Sequence, residues 1–243
     1  MTEHARYSTT GLTRRSALTG ASALLAASAL PAATLRAGGA ETTSAPEKAI
    51  PPGEALERLK QGNDRYAAGE ATAKEFSPSA AAAAEPRTPI AAVLACSDSP
   101  VPPERLFDQG PGELFVVANA GNIVASTALA SLEYAVTYLG VPLLMVLGHS
   151  GCRAVGVAFQ AVRERKELPG NLPELVKAID LAVITAHGKH PSDFLAATIE
   201  ENVRISKKRL TEKSPVLAEA VTAGKIAVTA GVHDLASGKI KWI

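Results

Sequence analysis

Cysteine is scarce here: 243 residues contain only two, Cys96 and Cys152. They allow one bridge at most, so a hydrophobic core rather than a disulfide framework must carry the fold. Aromatic residues are equally thin, at 4% of the chain. Ala, Leu and Val must therefore fill most of the core, which lets helices approach a sheet closely while each residue buries little area. Neither charge is in excess: 25 Lys and Arg stand against 24 Asp and Glu, a net charge of +1. With no basic stripe and no RNA-binding motif, no nucleic-acid partner is expected. No internal repeat is present, and the length suits one domain of moderate size behind a leader.

Short continuous apolar runs are what the chain does contain. Thr88 to Ala95 (TPIAAVLA) and Val141 to Leu147 (VPLLMVL) suit strands buried on both faces of a sheet. Each stops at a chemically rich stretch: Cys96-Ser97-Asp98-Ser99 after the first, Gly148-His149-Ser150-Gly151-Cys152 after the second. In an open parallel α/β sheet the carboxyl ends of the strands are where ligand sites are built. If the two strands are neighbours, two thiols, a carboxylate and an imidazole converge there, a set that suits tetrahedral Zn²⁺. The spacings of His149 to Cys152 and of Cys96 to Asp98 favour one shared cavity. A single Cys96–Cys152 disulfide is the competing reading, and the residues alone leave both open.

The rest of the chain falls into place around these runs. Residues 1–40 contain Thr13-Arg14-Arg15-Ser16-Ala17-Leu18, which resembles a twin-arginine export signal, then a weakly apolar run of Ala, Ser and Gly. Cleavage near Gly38-Gly39-Ala40 would leave a periplasmic or secreted protein that meets a membrane only during export. Residues 41–52 read as a linker and 53–243 as the folded domain. Helices are expected over 53–69, near Ala80 to Ala84, from Pro102-Pro103, and over 127–139, 153–165, 172–186 and 192–210, the last capped by Ser192. Glu113 to Ala118 and Ile226 to Val232 are further strands, and Lys239 to Ile243 turns back on the last. Asn119-Ala120-Gly121-Asn122 lies at the ligand end of the sheet, where backbone amides could serve a small oxyanion. His187 and His190 read as exposed loop residues, and His233 is given no role.

ACSDSPVPPERLFDQGPGELFVVANAGN, SLEYAV and VLGHSGCRAV together resemble the β-class carbonic anhydrases, in order and at similar spacing. EALERLKQGNDRYAAGE and the segment from ENVRISKKRL to GVHDLASGKIKWI extend the likeness over roughly residues 50–243. The resemblance implies a mostly parallel sheet flanked by helices, an antiparallel C-terminal strand, and a homodimer or higher even homo-oligomer. It implies Cys96, His149 and Cys152 as zinc ligands, Asp98 as catalytic gate or alternative fourth ligand, and a zinc-activated water that converts CO₂ to bicarbonate. Phe115 and Tyr134 match positions lining the CO₂ pocket, with Gly121 nearby, and helix 53–69 matches one that packs across a partner.

Four positions depart from the family pattern. Pro100 stands where an arginine pairs with the aspartate, Ala118 replaces the arginine before N-A-G-N, Arg87 replaces a glutamine, and Arg153 replaces a glycine. Without its guanidinium, Asp98 is expected to swing onto the metal, closing a Cys96–Asp98–His149–Cys152 site. Arg87 or Arg153 supplying the missing group from another position is the alternative. A closed site implies a catalytically silent zinc protein or one acting on COS or CS₂; an open one implies CO₂ hydration.

Overall fold

Five short strands among the described residues set the architecture, and their order explains where a site can form. The computed structural model describes residues 50–84 and 88–243, so the expected leader, most of the linker and Arg87 lie outside it. The strands are β1 Ala91–Cys96, β2 Leu114–Asn119, β3 Leu143–His149, β4 Ala227–His233 and β5 Ile240–Trp242, in spatial order β2-β1-β3-β4-β5. The first four run parallel and β5 pairs antiparallel with β4, Gly231 facing Trp242. Every residue of β1 and β3 is buried, as their unbroken apolar sequence requires of strands covered on both faces. The chain leaves β1 for β2 on one side and returns to β3 on the other, so the strand order reverses between β1 and β3. Their carboxyl ends flank the crevice where open α/β sheets bind ligands.

One face is covered by α4 Ser126–Leu139, α5 Arg153–Glu164, α6 Leu172–Gly188, α7 Phe194–Lys213 and α8 Pro215–Thr222. Ala92, Leu94, Leu144 and Val146 of the sheet pack there against Leu132, Val155, Ile179 and Val203. Two helices cover the other face. α1 Pro52–Ala67 and α3 Pro103–Leu106 bury Ala55, Leu59 and Leu106 against Ala91, Val93 and Met145. A Cβ on Gly62 would meet the Phe107 carbonyl oxygen at 1.8 Å, so glycine is what lets α1 approach the turn after α3. Asn63 of α1 donates from Nδ2 to the Gly238 carbonyl at 2.8 Å and accepts from the Ile240 amide at 3.0 Å. Thus α1 lies on its own sheet in this single chain.

Two expectations need correction. α7 is capped by the Asp193 side chain, which accepts from the Ala196 amide, not by Ser192. α8 was not foreseen: Ser214 ends α7 and its hydroxyl accepts from the Leu217 amide, while Pro215 supplies the preset first turn. The short α2, Pro78–Ala83, is capped by Ser77. Among the described residues, no helix is long and apolar enough to cross a membrane.

Candidate metal centre

Cys96 is the last residue of β1, His149 the last of β3, and Cys152 the cap residue before α5. β1 and β3 are neighbours, Ala95 beside Leu147, so the two motifs meet. The ligating atoms of Cys96, His149 and Cys152 all lie within 4.8 Å of one another, and the three residues are buried. Among the described residues this is the one such cluster. The two Sγ atoms are 3.5 Å apart and unbonded, so the disulfide reading does not describe this structure. Sulfurs sharing a tetrahedral zinc at ~2.3 Å each would sit about 3.8 Å apart, close to what is seen.

The histidine is already oriented for coordination. His149 Nδ1 lies 3.0 Å from the Ser150 carbonyl, which can only accept, so Nδ1 carries the proton. Nε2 then presents its lone pair, and it is a buried atom with no hydrogen-bond partner among the described residues. An orphaned ring nitrogen beside two thiols is what a soft-to-borderline divalent cation would satisfy, and the donor set fits zinc.

The sulfurs are electrostatically unequal. The Cys152 thiol donates to Cys96, and the His149 ring and the Asp98 and Gly121 amides add to it, holding Cys96 below the usual thiol range against burial. Cys152 is pushed up by that same neighbour and by burial, opposed by the amides opening α5. Burial alone would lower His149, but the charge of the adjacent Cys96 sulfur raises it.

Asp98 is not where the closed-site expectation put it. Its Oδ1 accepts from Arg153 Nη2 at 2.7 Å and Nε at 3.0 Å, and its Oδ2 accepts from the Arg153 backbone amide at 2.9 Å. Those bonds, the side-chain ones foremost, hold the carboxyl below the usual carboxylate range. The physical reason is placement: Arg153 opens α5 directly after Cys152, so both its amide and its side chain flank Asp98.

Gly121 also departs from expectation. Its amide donates to Cys96 Sγ at 3.2 Å and so is engaged with a ligand sulfur instead of an oxyanion. At φ +74° a side chain would be strained, and a Cβ would lie 2.9 Å from Ile179 Cδ1. Asn202 of α7, which the sequence reading passed over, donates to the Gly121 carbonyl at 2.8 Å and fixes this turn. The available signal was a run of buried polar residues at helical spacing, Thr198, Asn202 and Ser206.

Phe115 and Tyr134 do not line the cluster of their own chain. Their rings pack 6.1 Å apart along the outer edge of β2, beside Tyr138, in a cavity of about 810 Å³. Phe115 pairs with Ala92 whereas Cys96 pairs with Asn119, so Phe115 sits roughly 13 Å down the sheet. His187 closes α6 and stacks on Phe194, with His190 beside it; both histidines are exposed, but the first is helical. His233 ends β4 in register with His149, and it is buried edge-on to Tyr66 with both ring nitrogens unpartnered among the described residues.

Fold and site together define an α/β protein with a two-cysteine, one-histidine cluster able to hold a metal at the reversal of its strand order. Residues 91–240 match the family described as carbonic anhydrase. Carbonic anhydrase 2 of Mycobacterium tuberculosis is 34% identical over 189 residues, covering 76% of this chain and 89% of that protein. A carbonic anhydrase of Pseudomonas aeruginosa is 37% identical over 162 residues, covering 63% and 73%. A solved tetrameric β-carbonic anhydrase from the ascomycete Sordaria macrospora superposes with a TM-score of 0.61 at 22% identity, covering 79% of this chain and 94% of that one. The chain belongs to the β-class carbonic anhydrases, a family of lyases.

Proposed function

We propose that this protein catalyses the reversible hydration of CO₂ to bicarbonate, with Cys96, His149 and Cys152 holding a zinc ion. When bound, zinc supplies the Lewis acidity that makes water a nucleophile near neutral pH. The observation that carries the reading is the Arg153–Asp98 contact beside the cluster. Catalytic zinc is held by three protein ligands and structural zinc by four. With both Asp98 oxygens engaged by Arg153, the protein ligand set stays at three. Asp98 Oδ2 accepts a single bond from protein, so its second lone pair can orient the attacking water and receive its proton. Because the Arg153 bonds hold its carboxyl below the usual carboxylate range, Asp98 stays ionised and an acceptor at neutral pH. The cysteine donors need no large rearrangement, since the two sulfurs already lie 3.5 Å apart at the ends of β1 and the turn before α5.

An even homo-oligomer belongs to the same proposal. The outer edge of β2 pairs with no strand among the described residues. Antiparallel pairing of two β2 edges would lay the start of one strand against the end of the other. The partner subunit's Phe115 would then approach the sheet end carrying Cys96, which supports a substrate pocket completed between copies. The twin-arginine-like leader supports action outside the cytoplasm.

Metal analysis and stopped-flow CO₂ hydration from neutral to mildly alkaline pH test the reading. One zinc per chain with hydration above the uncatalysed rate is expected. Stoichiometric zinc with no hydration at any pH overturns it and leaves a silent zinc protein.

A further inference from the structure

Position 100 carries no donor, yet the Asp98 carboxylate is fully engaged, and all of its side-chain partners come from one residue 55 positions away. We propose that Arg153 is the positioning residue of this site: from the start of α5 it restrains Asp98 and keeps that carboxylate out of the metal's ligand set. The inference rests on the CO₂-hydration reading and names the residue on which that reading turns.

Three features of the contact carry it. First, the grip uses two independent elements of the same residue. The backbone amide takes Oδ2, and Nε and Nη2 take Oδ1, so the carboxylate is fixed in orientation as well as distance. The amide is one of the unpaired first-turn donors of α5, and the helix's positive end adds to its attraction for an anion. Second, Asp98 has a competing partner close by. It follows Cys96 by two residues, and its own amide donates to Cys96 Sγ at 3.4 Å. A carboxylate released there would find the metal as its nearest cation, and an unpaired charge beside a buried site does not remain unpaired. Third, the Arg153 side chain does nothing else. Its only side-chain polar contact among the described residues is Asp98, and it is 85% exposed. An ion pair so exposed adds little to stability, so its loss should leave the fold intact and act on the site.

Arg153 also directly follows a ligand. Ligation of Cys152 would fix the first turn of α5 and with it the amide that holds Asp98. Loading of the metal and restraint of the carboxylate are therefore mechanically linked through one peptide bond.

The test compares Arg153→Ala, Arg153→Lys and the double variant Pro100→Arg/Arg153→Ala with the parent chain, each loaded with Co²⁺ and with Zn²⁺. Thermal melts verify folding. In R153A the Co²⁺ visible spectrum should change as an oxygen ligand joins. Transfer of the metal to a chelator should slow, and CO₂ hydration should fall about 10- to 100-fold, as when an outer-shell partner is lost. R153K, with an ammonium in place of the fork, should lie between R153A and the parent. The double variant should recover the parental spectrum and release rate, because a guanidinium is again within reach. An R153A chain with the parental spectrum and release rate overturns the inference while leaving CO₂ hydration standing. Failure of the folded double variant to recover overturns the claim that the guanidinium does the positioning. A parent chain that takes up no metal overturns the underlying reading and this inference with it.

Discussion

Asn202→Ala tests how far the metal loop depends on a helix that contributes no ligand. Asn202 is buried in α7, and its Nδ2 donates to the Gly121 carbonyl at 2.8 Å, while the Gly121 amide donates to Cys96 Sγ. Truncation leaves a buried carbonyl without its donor, a loss of about 2 kcal/mol when the remaining group stays dry. For a domain of this size each kcal/mol lowers Tm by about 2–4 °C, so the metal-free variant should melt about 4–8 °C below the parent. The same turn aims the Gly121 amide at the thiolate, so zinc affinity should weaken by roughly 10-fold. Calorimetry of the metal-free chain reads the first effect and a chelator competition titration reads the second. Ser206→Ala is the matched control: Ser206 lies one helical turn on, equally buried, but its hydroxyl has no partner among the described residues. Its removal should be near neutral. An N202A chain that melts with S206A and binds zinc like the parent refutes the reasoning.

Two further outcomes follow from the same structure. For Asp108, burial alone would raise the carboxyl, but bonds from the Arg65 guanidinium and from Thr72 Oγ1 and N bring it below its ordinary value. The unfolded chain then binds this proton more readily, so the contribution is present above about pH 4 and disappears as pH falls through the folded value. Asp108→Asn should lower Tm at pH 7, and the gap to the parent should narrow as pH falls below about 4; a gap that stays constant through the acid range excludes the pair as the cause. Gly148→Ala places a Cβ 2.6 Å from Cγ2 of the buried Val203, an overpacking cost of about 1–3 kcal/mol. Because His149 is the next residue, this variant should lose zinc affinity along with stability, read by melting with and without the metal; unchanged affinity would place the strain elsewhere.

The strands and the ligands were legible because local sequence determines them. β1 and β3 are apolar up to the ligand residue that ends each, and no other burial fits such runs. The residues that end them must lie at one sheet end once the strands are parallel neighbours. What local pattern could not supply was contact across long separations. Arg87 and Arg153 had equal standing as replacements for the missing guanidinium, because nothing within either segment says which one meets Asp98. Phe115 and Tyr134 carried the right residue types, but the β1–β2 register sets them well away from Cys96 in the same chain. α8 stayed hidden because Ser214-Pro215 reads as a stop, and only the backbone shows the same serine starting the next helix. The Ser192 and Asp193 caps differ by one residue with equally good chemistry, and extended backbone at Asp193 decides between them.

The proline at position 100 is better understood as half of an exchange than as a loss. A ring that fixes φ restricts itself and also the residue before it, so Pro100 narrows the freedom of Ser99 and of the turn carrying Asp98. Ser99 Oγ further ties that turn by donating to the Val101 carbonyl at 3.1 Å. An arginine at position 100 would bring a guanidinium on a loop that also has to be held still. Here the loop is stiffened in its own backbone, and the guanidinium comes from a helix terminus that already points an amide at the same carboxylate. The two changes have meaning only together. Pro100 without Arg153 leaves Asp98 to the metal, and Arg153 facing a mobile turn would hold it less well. A stiff turn and a donor set rooted in α5 therefore do the work that one arginine would otherwise do from within the loop.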